Sequence, residues 1–385
     1  MMTVRKKEVP FVDLSPQWRE IRAGLLPAIE RLFESSAFSS GPYVARFEEE
    51  IAAYLGVRHA VAVNSGSSAL HLAVIAAGLS AGDRVLVPAH TFIGSVWGLL
   101  YHGVTPVLCD VEPETGTIDV RDAERRVGPG ARAIIAVHLY GQPADMTAIG
   151  AFAERHGLVV IEDAAQAIGA RHAGRPLGSI GGLGCFSFYP GKNLGAAGEG
   201  GLVTCADAAL AERVRTLRDH GQSTRYVHEE IGYNYRMDGM QALVLSHKLP
   251  RLDAWTAQRR MIARRYGAAL RDCPVRLPRA VHGDHVWHLY VIRAARRDQL
   301  RQFLGERGIE TGLHYPVPLP RQPCLAPFVR DPDAFPIADR YAAEALSLPL
   351  FAGMRDDQQD QVIEAVRAFF ASGPEPERGA RAVPA

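Results

Sequence analysis

A single lysine, Lys192, stands inside FSFYPGKNLGAAGEGG, the stretch from Phe186 to Gly201. An aromatic run precedes it, glycines crowd around it, and no acid follows until Glu199. Three kinds of chemistry suit such a lysine: a phosphate-binding loop, a solvated turn, or a reactive amine held in a cavity. The first has no local support. YPGKN holds a Gly-Lys pair, but Phe186 stands where a Walker A loop needs its first glycine, and Asn193 replaces the Ser or Thr. GSIGGLG (178–184) likewise fails the GxGxxG pattern of dinucleotide sites.

Two further clusters place polar groups at strand ends. VNSGSSALHLAV (63–74) reads as a strand, a small polar turn and a helix. There the NH groups of Gly66 and Ser67, with nearby hydroxyls, can receive an anion at the helix N-terminus. The same residues also cap helices without binding anything. VVIEDAAQAIGA (159–170) ends an apolar strand on Glu162 and Asp163. A carboxylate buried there needs a partner. A salt bridge or a helix N-terminus would serve, and so would a cationic group on a ligand; the residues leave both open. Combined with Lys192, the set is what pyridoxal phosphate requires. The cup takes the phosphate, the aspartate keeps the pyridinium nitrogen protonated, and the lysine forms the Schiff base. Burial among apolar or cationic neighbours lowers a lysine's pKa and exposes a nucleophilic amine.

The elements that must position these residues are legible in outline. From residue 59 to about 205, short apolar runs such as RVLVPA, ARAIIAVHL and CFSFY alternate with helix-length segments. That pattern predicts a mostly parallel central sheet flanked by helices, with ligands bound at the carboxyl ends of its strands. The first 55 residues read as helical, with VARFEEEIAAYLG ending on a glycine C-cap at Gly56. A long helical segment over 237–270, the run HLYVIRA and helices near 297–307 and 356–371 suggest a smaller α+β unit. Three parts follow: 1–250 with the N-terminal helices and the large α/β domain, 251–372 as a smaller C-terminal α+β domain, and 373–385 as a disordered tail rich in Pro, Gly and charge.

The 385 residues carry 43 Lys plus Arg against 42 Asp plus Glu, a net charge of +1 that gives no support to nucleic-acid or anionic-membrane binding. Five cysteines without a CxxC pair read as reduced thiols. The N-terminus lacks a signal-like apolar stretch and no segment has the length of a membrane span, so the expected location is the cytoplasm. His282, His285 and His288 are spaced three apart, but a loop running into a strand does not align three imidazoles, and no metal is expected. The arginines of TAQRRMIARRYG read as the solvated face of a helix, with a contact to a nucleotide diphosphate as the alternative.

Over nearly its full length the chain resembles the DegT/DnrJ/StrS family of PLP-dependent nucleotide-sugar aminotransferases. The resembling segments are SSGPYVARFEEEIAAYLG, NSGSSAL, VPAHTFIGS, IEDAAQAIGA, FSFYPGKNLGAAGEGG, RDHGQSTRYVHEEIGYNYRMDGMQA and GLHYPVPLPRQP. The resemblance implies the aspartate aminotransferase-like fold of PLP-dependent transferases. It implies Lys192 as the Schiff-base lysine, Asp163 as the pyridinium partner and Gln166 as the partner of the ring hydroxyl. Phe92 corresponds to the aromatic that stacks on the ring, with ordinary core packing as its bland reading. Gly66, Ser67 and Ser187 correspond to phosphate contacts. Asn234 corresponds to a residue that reaches the cofactor phosphate of a neighbouring subunit, which implies a homodimer with shared sites.

The resemblance further implies L-glutamate as amino donor, 2-oxoglutarate as its product and a nucleotide-linked keto sugar as acceptor. FYPGKNLGA with HYPVPLPRQP is more similar to the branch acting on 3-keto sugars, here a dTDP-linked 3-keto-6-deoxyhexose, than to the 4-keto branch. His314 and Tyr315 are then substrate-side residues. One departure is Pro320, where relatives of this branch often have His; it leaves a 4-keto sugar or an inosose as alternatives. A dehydratase on the same fold would lack Lys192. A non-catalytic sensor would have no use for Lys192, Asp163 and Gln166 together.

Overall fold

The computed structural model describes residues 9–372; the segment 373–385, expected to be disordered, lies outside the described residues. Two helices, α1 (Ser15–Ser35) and α2 (Pro42–Leu55), precede the sheet. α2 ends at Gly56, whose φ of 63° is the left-handed cap that glycine takes without a Cβ clash. Seven strands follow: β1 (His59–Val63), β2 (Arg84–Pro88), β3 (Thr105–Cys109), β4 (Ala131–Val137), β5 (Val159–Asp163), β6 (Leu183–Ser187) and β7 (Gly201–Cys205). They form one sheet in the order β1-β7-β6-β5-β4-β2-β3. β6, β5, β4, β2 and β3 run parallel, while β7 is antiparallel to both its neighbours.

Helices α3 (Gly66–Ala76), α4 (Gly94–Tyr101), α5 (Val120–Arg126), α6 (Met146–His156) and α7 (Ala208–Arg218) alternate with these strands. Both faces of the sheet are covered. Along β4, Ala133, Ile135 and Val137 join one buried cluster while Ile134 and Ala136 join another. Because successive side chains point to opposite faces, a strand buried on both sides reads as an unbroken apolar run, as ARAIIAV does.

The segment 237–270, expected as one helix, is two. α8 (Gly239–Lys248) and α9 (Leu252–Ala269) are separated by a 3-10 turn at Leu249–Arg251. Pro250 lacks the NH that would continue the helical ladder. Beyond it, β8 (Tyr290–Arg293) precedes α10 (Arg297–Glu306) and α11 (Pro336–Glu344), then β9 (Ala345–Leu348) and α12 (Asp356–Ala371). β8 and β9 pair antiparallel. Tyr290 and Ile292 join Tyr266, Leu300 and Val366 in a separate core, while Leu289 and Val291 pack on the main one. Among the described residues no helix is long and apolar enough to cross a membrane.

Strand pairing sets the position of the site. Val63 pairs with Gly201, Gly201 with Ser187, and Asp163 with Cys185. The segments that leave β1, β5 and β6 therefore emerge at one edge of the sheet. Those segments carry Gly66 and Ser67, Gln166, and Lys192.

Candidate active site

At that edge lies a cavity of about 660 Å³. Gly66, Ser67, Phe92, Asp163, Gln166, Ser187, Lys192, His314 and Tyr315 all line it. Asn234 does not: it is exposed, and its carbonyl accepts from Asn64 Nδ2 at 3.3 Å. Pro320 is buried in a 3-10 turn at Leu319–Arg321 and is not part of the lining.

The anion cup is built on the first turn of α3. Ser65 is the N-cap, and its Oγ accepts from Ser68 N at 3.1 Å. Capping thus belongs to Ser65 and leaves Gly66 and Ser67 facing the cavity. A Cβ on Gly66 would stand 2.7 Å from Ser187 Cβ, so only glycine lets this turn approach the end of β6. The space so preserved, with amides and two serine hydroxyls on its wall, fits a phosphate.

Glu162 and Asp163 divide between the two faces of the sheet. Glu162 is fully buried and turned away from the cavity. It accepts from Gly178 N at 2.7 Å, Ile180 N at 2.7 Å and Gly181 N at 2.6 Å, closing the turn before β6. His138 Nδ1 accepts from Ala144 N, which leaves Nε2 to donate to Glu162 at 3.1 Å. Burial works to raise the carboxyl's pKa, but His138 and the amides outweigh it and hold it below the ordinary value. That stabilisation is present above the ordinary glutamate pKa and is lost as pH falls through the lowered one. Glu162→Gln is expected to cost about 3 kcal/mol of stability, because its NH₂ would face two N–H donors whichever way the amide is turned, Ile180 and Gly181 or Gly178 and His138. Chemical denaturation should show the loss, while the folded variant keeps an unaltered Lys192 site.

Asp163 is 5% exposed and faces the cavity. Ser95 Oγ donates to its Oδ2 at 2.7 Å, and Ala165 N donates to Oδ1 at 3.2 Å. Thr91 stands 2.9 Å behind Ser95 and donates to it in turn, since the Ser95 proton is committed. Two donors fix the carboxylate without neutralising it, so it can still hold a cationic N–H group. One turn on, Gln166 is oriented at both ends. Its Oε1 accepts from Tyr140 N at 2.7 Å, and its Nε2 donates to the Tyr315 hydroxyl at 3.0 Å.

Lys192 follows β6 in a tight loop, its NH donating to Tyr189 O at 2.8 Å. A Cβ on Gly195 would meet Pro190 O at 2.2 Å, so the loop closes on itself at that glycine. Asn193 Nδ2 donates to Val286 O at 3.0 Å, and Lys248 Nζ donates to Gly195 O at 2.7 Å. Removal from water lowers the Lys192 pKa to about 8 against the opposing pull of Asp163. Its amine is therefore partly neutral, and nucleophilic, near physiological pH. Phe92 is 50% exposed on the same wall, its ring 5.5 Å from that of Tyr315. An aromatic face left uncovered over a cavity suits a planar ring better than it suits core packing.

Further contacts at the site join residues far apart in the chain. Tyr140 is buried at φ 61°, a conformation that costs a bulky residue about 1–2 kcal/mol. It is held there by Gln166, by a hydroxyl hydrogen bond to His314 O, and by His90 Nε2 at 2.9 Å. His314 Nδ1 meets Ser347 Oγ at 2.8 Å, and burial followed by the Lys192 charge lowers its pKa to about 4. Glu199 also lines the cavity. The arginine-rich segment of α9 is not wholly solvated: Arg259 is buried and also lines the cavity. The three spaced histidines diverge. His282 pairs with Glu112 at 2.9 Å, His285 stacks on Trp287, and His288 Nδ1 donates to Asn193 Oδ1 at 3.3 Å.

Comparison with known proteins finds relatives along nearly the whole chain. The model of the DegT/DnrJ/EryC1/StrS aminotransferase family matches residues 19–367. A pleiotropic regulatory protein of Geobacillus stearothermophilus is 44% identical, over 94% of this chain and 98% of its own length. The dTDP-3-amino-3,4,6-trideoxy-alpha-D-glucose transaminase of Streptomyces venezuelae is 45% identical, over 94% of this chain and 96% of its own. The crystal structure of S. venezuelae DesV in complex with a ketimine intermediate matches with a TM-score of 0.91 and 44% identity, covering 94% of this chain and 98% of that one. With a family model spanning almost all of the sequence, relatives this similar over nearly their whole length and a shared fold, the chain belongs to the DegT/DnrJ/EryC1/StrS aminotransferase family.

Proposed function

We propose that the protein is a PLP-dependent aminotransferase. It converts a nucleotide-linked keto sugar, a dTDP-linked 3-keto-6-deoxyhexose, to the amino sugar with L-glutamate as donor. The observation that carries this reading is one wall on which a lysine of pKa about 8 and a hydrogen-bonded aspartate face the same cavity beside an anion cup. The 3-keto assignment draws on the relative named as a dTDP-3-amino sugar transaminase. PLP, when bound, supplies an aldehyde for amine capture and a ring that accepts the electron pair left when a carbon beside the amine loses its proton.

The residues then have distinct tasks. Gly66 and Ser67 amides and the Ser187 hydroxyl bind phosphate at the α3 N-terminus, and Asn234 reaches the phosphate held by the second subunit of a homodimer. Asp163 would keep a proton on the ring nitrogen, Phe92 would lie against the ring and Gln166 would hold its hydroxyl. Lys192 Nζ would hold PLP through its aldehyde and, when free, would accept the proton from the donor Cα and give it back. His314 and Tyr315 border the sugar. Five free cysteines accord with a reducing cytoplasm.

The name of the Geobacillus relative favours a second reading, a regulator that keeps the fold without turnover. One panel separates the two. Purified protein with PLP and L-glutamate is given dTDP-linked 3-keto and 4-keto sugars and an inosose, and products are read by mass spectrometry and NMR. Amination of the 3-keto sugar is the expected result. Turnover of the 4-keto sugar or the inosose alone would replace the substrate, and no turnover of any acceptor would leave the regulator.

A further inference from the structure

Helix α9 carries a buried cation without an anion. Arg259 is 3% exposed and lies on the face of α9 that also buries Trp255, Ile262 and Tyr266. Its Nη1 donates to the carbonyls of Trp287 at 3.2 Å, His288 at 3.3 Å and Leu350 at 3.1 Å. Its Nε is buried and meets no acceptor. No carboxylate among the described residues acts on it, and burial alone lowers its pKa to about 10. A guanidinium desolvated in this way is costly unless something else brings the counter-charge.

That counter-charge has a route of entry. Arg259 lines the cavity that holds Lys192. The two cations are close enough that both depress the His288 pKa, which burial already pushes well below its ordinary value. With Nη1 committed to the backbone and Nε closed off by protein, Nη2 is left for a ligand. It presents a charge-assisted N–H donor, which suits an anionic oxygen such as a carboxylate's. Three carbonyls already hold the group in place, so little side-chain entropy is lost when the ligand arrives.

We propose that Arg259 binds the α-carboxylate of the amino-acid donor through Nη2. The inference rests on the aminotransferase reading and adds the residue that selects the donor. An α-carboxylate is one bond from the carbon that bears the exchanged amine, so it must come to rest beside Lys192. A sugar diphosphate is separated from the reacting ketone by the sugar ring, and its charge calls for more than one cation.

The test measures the two half-reactions of the holoenzyme separately. Arg259→Lys keeps a charge on α9 and removes Nη2. It should weaken the L-glutamate half-reaction about 30-fold, through the saturation constant more than the limiting rate, and alter the keto-sugar half-reaction by no more than about threefold. Calorimetry with glutarate, which cannot react, should show a similar loss of affinity, and melting curves report folding. Wild-type protein supplies an arm that needs no variant: isoglutamine, whose α-carboxylate is an amide, should be a donor about 30-fold poorer than glutamate. Equal use of isoglutamine and glutamate would overturn the proposal. So would unchanged glutamate kinetics in Arg259→Lys, an equal loss in both half-reactions, or a loss confined to the keto sugar, which would assign Arg259 to the diphosphate. Wild-type protein that transaminates nothing would instead sink the underlying aminotransferase reading.

Discussion

Lys192→Ala is expected to abolish covalent capture of PLP and to lower transamination by at least about 10³-fold, since one amine serves as anchor and as proton carrier. Borohydride should trap the cofactor on the wild-type chain and not on the variant, and added methylamine should restore part of the turnover. Melting temperature should not fall, because the substitution removes a partly desolvated amine and leaves the loop's own hydrogen bonds in place. In the wild type, the rate of PLP capture by apoprotein should rise with pH through about 8, the lowered Lys192 value, and not through the ordinary 10.5. Lys248 is the internal control. Burial lowers its pKa to about 8 as well, but its Nζ is bound to Gly195 O and it does not line the cavity. Capture that survives in Lys192→Ala and is lost in Lys248→Ala would refute the assignment.

Asp163→Asn should leave the fold and the Lys192 linkage intact while lowering turnover about 10²-fold to 10³-fold, because the neutral amide no longer holds a proton on the ring nitrogen. Ser95 can still donate to the amide oxygen, so the side chain stays in place. The variant has a second signature in the titration of Lys192. The Asp163 charge raises the lysine's pKa against desolvation, so removing it should move the midpoint of PLP capture below that of the wild type. An upward move, or unchanged turnover, would mean that this carboxylate does not face the cofactor.

The Glu162–Asp163 pair shows what a linear reading can and cannot resolve. Both carboxylates end one apolar strand, and the residues alone left a structural partner and a ligand equally open. Strand geometry requires neighbours to point to opposite faces, so one of the two had to turn from any site on the other face. Which face held the cavity depended on α3, α4 and the loop after β6 meeting above Asp163, while the 178–181 turn closed over Glu162. Arg259 presents the same problem in a helix. Its phase with Trp255, Ile262 and Tyr266 placed it on the buried stripe of α9, but adjacent arginines made the segment look solvated. Ser95, His90 and Tyr140 gave no local signal, because a serine or tyrosine in a strand-end loop has many ordinary uses.

The sequence by itself determined the alternation that builds a mostly parallel sheet, the Gly56 cap, and the identity of the residues at the strand ends, since these rest on periodicity and on interactions within a few residues. Family resemblance came from the same contiguous stretches. Tertiary structure alone decided how Glu162 is satisfied on the far face of the sheet and that Arg259 is buried without a counter-ion. Each of these depends on desolvation and pairing between segments far apart in the chain, and burial of a charge has no value until the surfaces that exclude water are in place.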